Sequence, residues 1–415
     1  MAKKTVSDVQ VRGKRVLIRA DFNVPLDGRG SITDDRRIRQ CLPTVERVIE
    51  QGGRAVLISH LGRPKGAPDP AFSLRPVATR IEKLLAKPVR FVDDCIGDAA
   101  DTAVAAMTDG DVILLENLRF HAAENIIDKA KKNPGGKLTA EQDADRAAFA
   151  QALASHADVY VNNAFGTCHR NHVSMYDLPK RVAPGNRVLG FLVQRELQYL
   201  GDALETPKRP FVAILGGAKV SDKIGVIRSL LGVVDHILIG GAMTFTFWAA
   251  KDMSVGKSLC ERDKVGLARE LLDEAGDKLH LPTDSVAAKD LAAGVETRVV
   301  HGELPSELMG LDVGPRTIEM YQTFLSVAKT VLWNGPVGAF EIPPFDKGTI
   351  AVAQMLAKQT ASGAVTIIGG GDSAAAIDKA GLSEKMSHIS TGGGASLKYI
   401  EKRGFATIDL LDDAD

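Results

Sequence analysis

The stretch "IIGGGDSAAAI", residues 367–377, joins an apolar run to a small-residue segment through three consecutive glycines and an aspartate. A glycine costs roughly 0.5–1 kcal/mol relative to alanine inside regular structure, so a triplet is typical of backbone that must approach another group closely. A glycine turn between a strand and a helix exposes backbone N–H groups that favour phosphate. A second triplet follows in "STGGGASL", residues 390–397. The two turns predict a shared anion site.

Apolar β-branched runs like the one before this turn recur along the whole chain and alternate with longer helical stretches. They are "RVLIRADF", "AVLISH", "VRFV", "DVILLEN", "ADVYVNNAF", "FVAILGG", "HILIGG", "TVLWNGP", "VTIIGGG" and "SHISTGG". Their lack of polar alternation is typical of strands buried on both faces. The rhythm predicts parallel sheets covered by helices, and the length of 415 residues predicts two domains.

The rhythm breaks between residues 172 and 208, where "DLPKRVAPGNRVLGF" supplies turn residues and "LVQRELQYLGDALE" predicts a connecting helix. We therefore expect an α/β protein with two doubly wound, Rossmann-like parallel-sheet domains, residues 1–185 and 190–403, joined by a hinge helix. Residues 130–140, "AKKNPGGKLTA", predict an exposed loop.

The composition narrows the function classes. Lys+Arg and Asp+Glu both number 52, so neither nucleic acid nor a membrane surface is expected as a partner. No signal-peptide pattern and no long apolar stretch occurs, which predicts a soluble, cytoplasmic protein. The four dispersed cysteines predict reduced thiols.

Three motifs that suggest other chemistry are incomplete. Cys168, His169 and His172 in "GTCHRNH" lack a fourth ligand at zinc-like spacing. The Gly-Lys-Ser of "VGKSL" is not a P-loop, because the first glycine of that pattern would fall at Lys251. No Gly-x-Gly-x-x-Gly follows the first strand, so a dinucleotide dehydrogenase lacks its main signature.

Polar residues follow four strands of the first half, at the carboxyl ends where parallel sheets bind ligands. Arginine captures phosphate and carboxylate bidentately, although any single arginine here could equally form a surface ion pair. Four polar strand ends together predict a pocket for a small, multiply charged anion. The residues are Asp21, Asn23, His60, Arg63, Arg119, His169 and Arg170, with Arg36, Arg37 and Arg39 nearby in the sequence.

Glycines follow the strands of the second half, in "GGAKVSDK", "GGAM", "NGPVGAFE", "GGGDS" and "TGGGAS". One such turn can serve packing alone, but four or five in one domain predict a nucleotide site. In the opening stretch, Gly369, Gly370 and Gly371 would bring backbone to a phosphate chain, and Asp372 would offer a carboxylate to its Mg²⁺.

These motifs together resemble the phosphoglycerate kinase family. "RADFNVP", "SHLGRPKG", "ENLRFH", "NNAFGTCHR", "LGGAKVSDKI", "WNGPVGAFE", "GGGDSAAA" and "STGGGASL" follow in that family's order over nearly the whole chain. The resemblance implies a monomeric enzyme that transfers a phosphoryl group, with Mg²⁺, between ATP and 3-phosphoglycerate in glycolysis and gluconeogenesis. The sequence departs from the family pattern at Ser373, where threonine is frequent, and at Cys168, where alanine is frequent.

The resemblance also implies the site residues. Residues 404–415 would pack back on the first domain, and Arg37 is preferred to Arg36 because it directly precedes Ile38. The phosphoglycerate site would consist of Asp21, Asn23, Arg37, His60, Arg63, Arg119 and Arg170.

The resemblance also implies how the nucleotide is bound. Its phosphates would be contacted by Lys219, Lys223, Asn334, Gly370, Gly371 and Ser373. Gly240 and Gly241 would lie beside adenine, Glu341 would bind the ribose, and Asp372 would bind Mg²⁺. Arg37, Lys219 and the N–H groups of Gly392, Gly393 and Gly394 would act on the transferring group. Lys223 is expected one helical turn beyond Lys219, on the same face.

This chemistry matches the residue types, because a carboxylate acceptor is already ionised at neutral pH and needs no general base. Binding the two substrates to separate domains implies a hinge whose closure excludes water. Two alternatives stay open. A non-catalytic anion-binding protein would explain the arginines but not the glycine turns, and a dehydrogenase would need a nicotinamide site.

Overall fold

The computed structural model describes residues 2–414, apart from the side chains of Lys131 and Pro134. The chain forms two compact units, one of Met1–Leu197 with Gly404–Asp415 and one of Gln198–Arg403. Across the described range, no helix combines the length and apolarity needed to cross a membrane.

The first unit contains a six-stranded parallel sheet. Its strands are β1 Arg15–Ala20, β2 Arg54–Ile58, β3 Arg90–Val92, β4 Val112–Leu115, β5 Val159–Asn163 and β6 Arg187–Leu189, in the order β3-β4-β2-β1-β5-β6. The helices are α1 Arg36–Glu50, α2 Arg75–Leu85, α3 Asp98–Ala105, α4 Ala140–Ala154, α5 Val173–Tyr176 and α6 Phe191–Glu205. Strand order reverses at β1, which pairs with β2 on one side and β5 on the other. A ligand site is expected at this reversal.

Apolar strand residues make the core of the first unit. Val16 and Ile18 of β1 are fully buried in one cluster with Val45 of α1 and Val77 of α2. Each fully buried aliphatic side chain contributes about 1.5–3 kcal/mol. The central strands are therefore rigid supports for the loops that follow them.

The second unit contains another six-stranded parallel sheet and a small antiparallel one. The strands are β7 Phe211–Leu215, β8 His236–Ile239, β9 Leu279–His280, β10 Asp284–Ala288, β11 Arg298–His301, β12 Met309–Val313, β13 Thr330–Asn334, β14 Val365–Gly369 and β15 His388–Ile389. The parallel order is β15-β14-β13-β7-β8-β9, and the antiparallel order is β11-β10-β12. The helices are α7 Ile224–Leu231, α8 Met243–Ala250, α9 Val265–Ala275, α10 Pro315–Leu325, α11 Lys347–Ala361, α12 Gly371–Lys379 and α13 Gly394–Lys402.

The prediction of two parallel-sheet α/β units is confirmed, and α6 runs through the point where one unit gives way to the other. Two details differ from the sequence prediction. β6 lies inside the stretch that was expected to interrupt the strand rhythm, and the antiparallel sheet was not predicted. Short 3-10 helices occupy Pro70–Phe72, Leu118–Phe120, Ile126–Lys132, Pro134–Gly136, Phe165–Thr167, Pro179–Arg181, Arg262–Lys264, Gly276–Lys278 and Ser383–Lys385.

The C-terminal segment belongs to the first unit, forms a short helix, α14 Ala406–Asp409, and contacts the N-terminal part of that unit. The Thr407 hydroxyl donates to the Cys168 carbonyl at 2.6 Å. Asp412 accepts from the Arg187 guanidinium at 2.6 Å, next to the paired strands β5 and β6. These contacts tie the segment to the edge of the first sheet.

Candidate active site

Three predicted anion-site residues lie together at the carboxyl end of β1. Arg37, in the first turn of α1, donates through Nη1 to the Asp21 carboxylate at 3.0 Å and to the Asn23 carbonyl at 3.2 Å. The neighbouring Arg36 pairs instead with Asp34, at 2.5 Å. Asp21 is buried, so it fixes the position of the Arg37 guanidinium, which is about a third exposed.

Asn23 connects this group to the loop after β2. Its Oδ1 accepts from the Gly62 N–H at 2.8 Å, and the Gly62 carbonyl accepts from Arg119 Nη1 at 2.7 Å. Gly62 has a φ of 62°, and a Cβ there would lie 2.2 Å from the Phe72 ring. Arg63, directly after this glycine, is exposed to solvent. The loop thus presents Arg63 from a fixed backbone.

His60 is buried at the end of β2 beside an arginine that the sequence analysis did not select. Arg19, in the apolar strand β1, has no exposed surface and lies with Nη2 3.2 Å from His60 Nδ1. Because a guanidinium only donates, Nδ1 is the acceptor and the ring proton is on Nε2. Burial, helped by Arg19 and Arg119, holds the pKa of His60 well below its usual value. His60 is therefore a neutral Nε2–H donor.

Arg119 follows β4 and is mostly buried. Burial, with the nearby Arg19 charge, lowers its pKa to about 10. Its Nε is buried and has no hydrogen-bond partner among the described residues. A buried donor without an acceptor is costly, so an anion bound here would stabilise it.

Arg170 lies farther along the same edge and contacts Asp128 at 3.3 Å and the His169 ring at 3.1 Å. The hydrogen bond from His172 to Asp128, at 3.1 Å, keeps the pKa of that carboxyl low. The Arg170 charge also contributes to the lowered pKa of Arg119, which places the two guanidinium groups in the same neighbourhood. The carboxyl edge of the first sheet thus carries several arginines, of which Arg37 and Arg170 contact carboxylates.

In the second unit, strand order reverses between β7 and β13, and Asn334 ends β13 at that point. The Asn334 carbonyl accepts from the Gly216 N–H at 2.9 Å, which joins the two strand ends. Lys223 hydrogen-bonds Asn334 Oδ1, while Asn334 Nδ2 is buried and lacks a partner among the described residues. Burial lowers the pKa of Lys223, although Asp222 and Asp372 oppose that shift. Lysine, amide and carboxylate are thus gathered at the reversal.

The glycines of this unit fall into two groups. A Cβ at Gly216 would lie 2.0 Å from the Pro336 carbonyl, one at Gly240 2.6 Å from Val337, and one at Gly241 2.6 Å from Gly217. Packing alone requires glycine at these three positions. A Cβ at Gly371, Gly393 or Gly394 would have no atom of the described residues within 4 Å. Packing does not require those glycines, which begin α12 or precede and begin α13.

The opening stretch folds as β14, a turn at Gly370 with φ 94°, and α12. Ser373 is buried and its hydroxyl accepts from the Gly335 N–H at 2.7 Å, so it holds the start of α12 against the loop after β13. Asp372 is exposed in the first turn of α12. The helix N-terminus favours a nearby anion such as phosphate.

Asp372, Glu341 and Gly241 line a cleft of about 490 Å³ beside this turn. Glu341 is exposed, and the inner wall is formed by α8 and the antiparallel sheet, including Thr244, Phe245, Trp248, Ser285, Leu311 and Asp312. Sequence motifs did not indicate the part of this wall that the antiparallel sheet forms, because Ser285, Leu311 and Asp312 lie far from the glycine turns along the chain. The α8 part directly follows the "GGAM" turn.

Lys219 and Lys223 are not arranged as expected. The segment from Lys219 to Lys223 is a series of turns, and α7 begins only at Ile224, so the two side chains do not share a helical face. Lys219 is exposed, whereas Lys223 is buried. Hydrogen bonds from Ser221 N–H and Oγ to Glu261, at 3.0 and 2.6 Å, hold the turn.

A cluster of possible metal ligands lies elsewhere in the chain than in "GTCHRNH", the motif that lacked a fourth ligand in the sequence. Cys168 is buried with its sulfur 3.7 Å from Asn162 Oδ1. Within residues 2–414, the side chains close enough to offer three ligands to one ion are Asp94, Cys95 and His121. Asp94 is already hydrogen-bonded to His121 at 2.6 Å.

A group of arginines at the strand ends of one α/β unit and a glycine-rich strand reversal in the other are typical of a protein that handles a small anion and a nucleotide. The phosphoglycerate kinase family model matches residues 6–403. A phosphoglycerate kinase from Rhodopirellula baltica is 51% identical, covering 100% of both chains.

Solved structures agree. Phosphoglycerate kinase from Coxiella burnetii superposes with a TM-score of 0.84 at 37% identity, and that from Pyrococcus horikoshii with 0.81 at 29% identity, each covering 98% of both chains. The chain belongs to the phosphoglycerate kinase family.

Proposed function

We propose that this chain performs the reaction of its family, the reversible Mg²⁺-dependent transfer of a phosphoryl group between ATP and the carboxylate of 3-phosphoglycerate. The products are ADP and 1,3-bisphosphoglycerate, and the reaction serves glycolysis and gluconeogenesis. The observation that carries the proposal is the family match from residue 6 to residue 403. The two chemically different strand edges support it.

In this proposal the first unit, Met1–Leu197 with Gly404–Asp415, binds 3-phosphoglycerate. Arg63, Arg119 and Arg170 hold its anionic groups, and His60 donates a neutral hydrogen bond from Nε2. The unpartnered Arg119 Nε and the hydrogen bond from the Gly62 N–H that fixes the Asn23 side chain support this role. Arg37, fixed by Asp21, lies at the reacting carboxylate. That carboxylate is ionised at neutral pH, so no side chain has to remove a proton.

The second unit, Gln198–Arg403, binds the nucleotide. The cleft takes the base, with Gly240 and Gly241 beside it and Glu341 at the ribose. Lys223, Asn334 and the start of α12, including Gly370, Gly371 and Ser373, face the phosphates. Charge on the moving phosphoryl group is stabilised by the Lys219 ammonium and by N–H groups at Gly393 and Gly394. The space that a Cβ would occupy at each of these two glycines has no described atom within 4 Å, which supports that assignment.

Asp372 fits the role of a Mg²⁺ ligand. It is an exposed oxygen donor at the edge of the cleft, and Mg²⁺ is typically held by one or two carboxylates together with substrate phosphates and waters. When bound, the ion neutralises phosphate charge and lowers repulsion between the two anionic substrates.

We also propose that the protein is a cytoplasmic monomer and that the two units close on each other when both substrates are bound. Closure would exclude water, which would otherwise hydrolyse the acyl phosphate. Light scattering in solution tests the monomer, and scattering experiments described below test closure.

The decisive experiment is a coupled assay of ADP formation from ATP with 3-phosphoglycerate, beside a panel of other carboxylates. Turnover confined to 3-phosphoglycerate, and abolished by chelating Mg²⁺, is expected. Binding of both ligands without turnover would indicate a non-catalytic binding protein. Turnover with a different carboxylate would replace the proposed substrate.

A further inference from the structure

The inner wall of the cleft carries one polar side chain whose hydrogen-bonding capacity the fold leaves unused. Thr244 lies in the first turn of α8 and is 3% exposed. Its Oγ1 is buried and has no hydrogen-bond partner among the residues that the structure describes. An unsatisfied buried hydroxyl is costly, and a chain usually satisfies it through a backbone carbonyl, another side chain or a ligand.

The other polar side chains deep in the cleft are already engaged. Asp284 accepts the Thr317 hydroxyl at 2.6 Å, and Ser285 donates to the Asp312 carbonyl at 2.9 Å. The Asp312 carboxylate accepts two backbone N–H groups, at 2.7 and 2.9 Å. Thr244 therefore differs from each of them, because its oxygen is not used to hold the wall together.

The surroundings of Thr244 fit a flat, mostly apolar ligand. Phe245, Trp248 and Leu311 line the same cleft, and the exposed carboxylates of Glu341 and Asp372 lie at its mouth. A nucleoside triphosphate suits this arrangement when its base enters the apolar interior and its phosphates remain near α12. The base then meets the wall on which Thr244 lies.

We infer that the Thr244 hydroxyl hydrogen-bonds the edge of the nucleotide base in this cleft. The inference rests on the proposed function, because it requires the nucleotide to bind here. A hydroxyl both donates and accepts, so it pairs either with a ring nitrogen or with an exocyclic amino group. Thr244 is thus a base-contacting residue, separate from the phosphate-binding lysines.

Two substitutions separate the hydroxyl from the shape of the side chain. Thr244→Val keeps the volume and removes the hydroxyl, so it is expected to weaken ATP binding about 3–10-fold, the value of one hydrogen bond. Thr244→Ser keeps the hydroxyl and should bind ATP within about 2-fold of the wild type. Inorganic tripolyphosphate, which has no base, should bind all three proteins equally.

Stability without nucleotide supplies a second readout. Because Thr244→Val removes an unsatisfied buried hydroxyl, the melting temperature of the nucleotide-free protein should rise by about 2–4 °C. Thr246, two residues on, is the matched contrast, since its hydroxyl accepts the Glu261 N–H at 3.0 Å. Thr246→Val should therefore lower the melting temperature.

Calorimetry of ATP and tripolyphosphate on the four proteins tests the inference. Equal ATP affinity for wild type and Thr244→Val would overturn it while leaving the proposed function intact. Equal losses for ATP and tripolyphosphate would overturn it as well, because the effect would not involve the base. A wild-type protein that binds no ATP would refute both this inference and the proposed function.

Discussion

Replacing Lys219 by alanine tests the proposed catalytic charge most directly. Lys219 is solvent-exposed in a turn after β7. Burial raises the pKa of Glu261, but the hydrogen bonds from Ser221 outweigh burial and keep that pKa low, and the Lys219 charge adds only a minor part of the lowering. Removing an exposed side chain of this kind should change the free energy of unfolding by no more than about 0.5 kcal/mol.

The effect on turnover should be far larger. If the ammonium follows the phosphoryl group during transfer, Lys219→Ala removes one preorganised charge-stabilising donor, which costs about 10²–10³ in kcat, or about 3–4 kcal/mol. ATP affinity should fall much less, because the ammonium then acts mainly in the transition state. Lys219→Arg should recover little activity, since a planar guanidinium does not replace a compact ammonium.

Lys223→Ala is the informative comparison, because the structure gives that lysine a different task. Lys223 is buried and hydrogen-bonds Asn334 Oδ1, and Asn334 Nδ2 already lacks a partner among the described residues. Without Lys223, both Oδ1 and Nδ2 of the buried Asn334 side chain would lack a hydrogen bond, so the free energy of unfolding should fall by about 1–3 kcal/mol. Lys219 variants should show no such loss.

The measurements are single-turnover transfer with both substrates saturating, ATP calorimetry and urea unfolding. A Lys219→Ala protein that transfers at the wild-type rate once saturated would refute the catalytic role. Lys219 would then be a binding residue, and charge stabilisation would have to come from Arg37 or from the turn at Gly393 and Gly394.

Three further outcomes are expected. Arg63→Ala should raise the KM for 3-phosphoglycerate more than it lowers kcat, because an exposed guanidinium that holds a non-reacting group binds ground and transition states alike. Arg90→Ala, at the start of β3, is the control, and an unchanged KM in Arg63→Ala would contradict the role. Small-angle scattering should give a smaller radius of gyration with 3-phosphoglycerate and a stable ATP analogue together than with either alone, and equal values would exclude closure. Burial raises the pKa of Asp312 to about 7, so the folded state holds its proton more tightly than the unfolded chain. The contribution of Asp312 to stability should therefore decline as pH rises from 4 to 7, by up to about 4 kcal/mol, and an Asp312→Asn protein whose stability has the same pH dependence as that of the wild type would refute this contribution.

The strands were predictable because most of them are buried on both faces. β4 and β7 are continuous apolar runs, and a buried parallel strand needs no polar alternation. β6 and β11 were missed for the opposite reason. β6 has three residues and begins two positions after a Pro-Gly dipeptide, and three of the four residues of β11 are exposed. Neither carries enough apolar sequence to distinguish it from a loop.

The turn from Lys219 to Lys223 shows how a distant residue overrides local sequence. A lysine spacing of four after a strand suggested one helical turn. The structure instead fixes Ser221 by two hydrogen bonds to Glu261, forty positions along the chain. Side-chain hydrogen bonds of this kind compete with helical geometry, and a single sequence does not reveal their partner.

Arg19 was missed although it contacts His60, because a lone arginine inside the apolar run "RVLIRADF" resembles an ordinary strand residue. Its Nε donates to the Ser174 hydroxyl at 2.8 Å, and the same hydroxyl donates to the buried Glu124 carboxylate at 2.7 Å. The buried charge is tolerated because this network satisfies it. Ser174 lies 155 positions from Arg19, so only the folded chain shows why an arginine is admitted to β1.

The two strand edges also explain why one half of the site was easier to predict than the other. The first edge presents long cationic side chains, which the sequence names directly, at Arg63, Arg119 and Arg170. The second edge presents backbone, and glycine has two reasons to occur there that look identical in a sequence. At Gly216 the Pro336 carbonyl excludes any Cβ, whereas a Cβ at Gly394 would have no described atom within 4 Å. Neither packing nor a positive φ requires glycine at Gly371 or Gly394, so substitution of these two by alanine should affect phosphoryl transfer and leave folding unchanged, whereas the φ of 52° at Gly393 would strain any other residue.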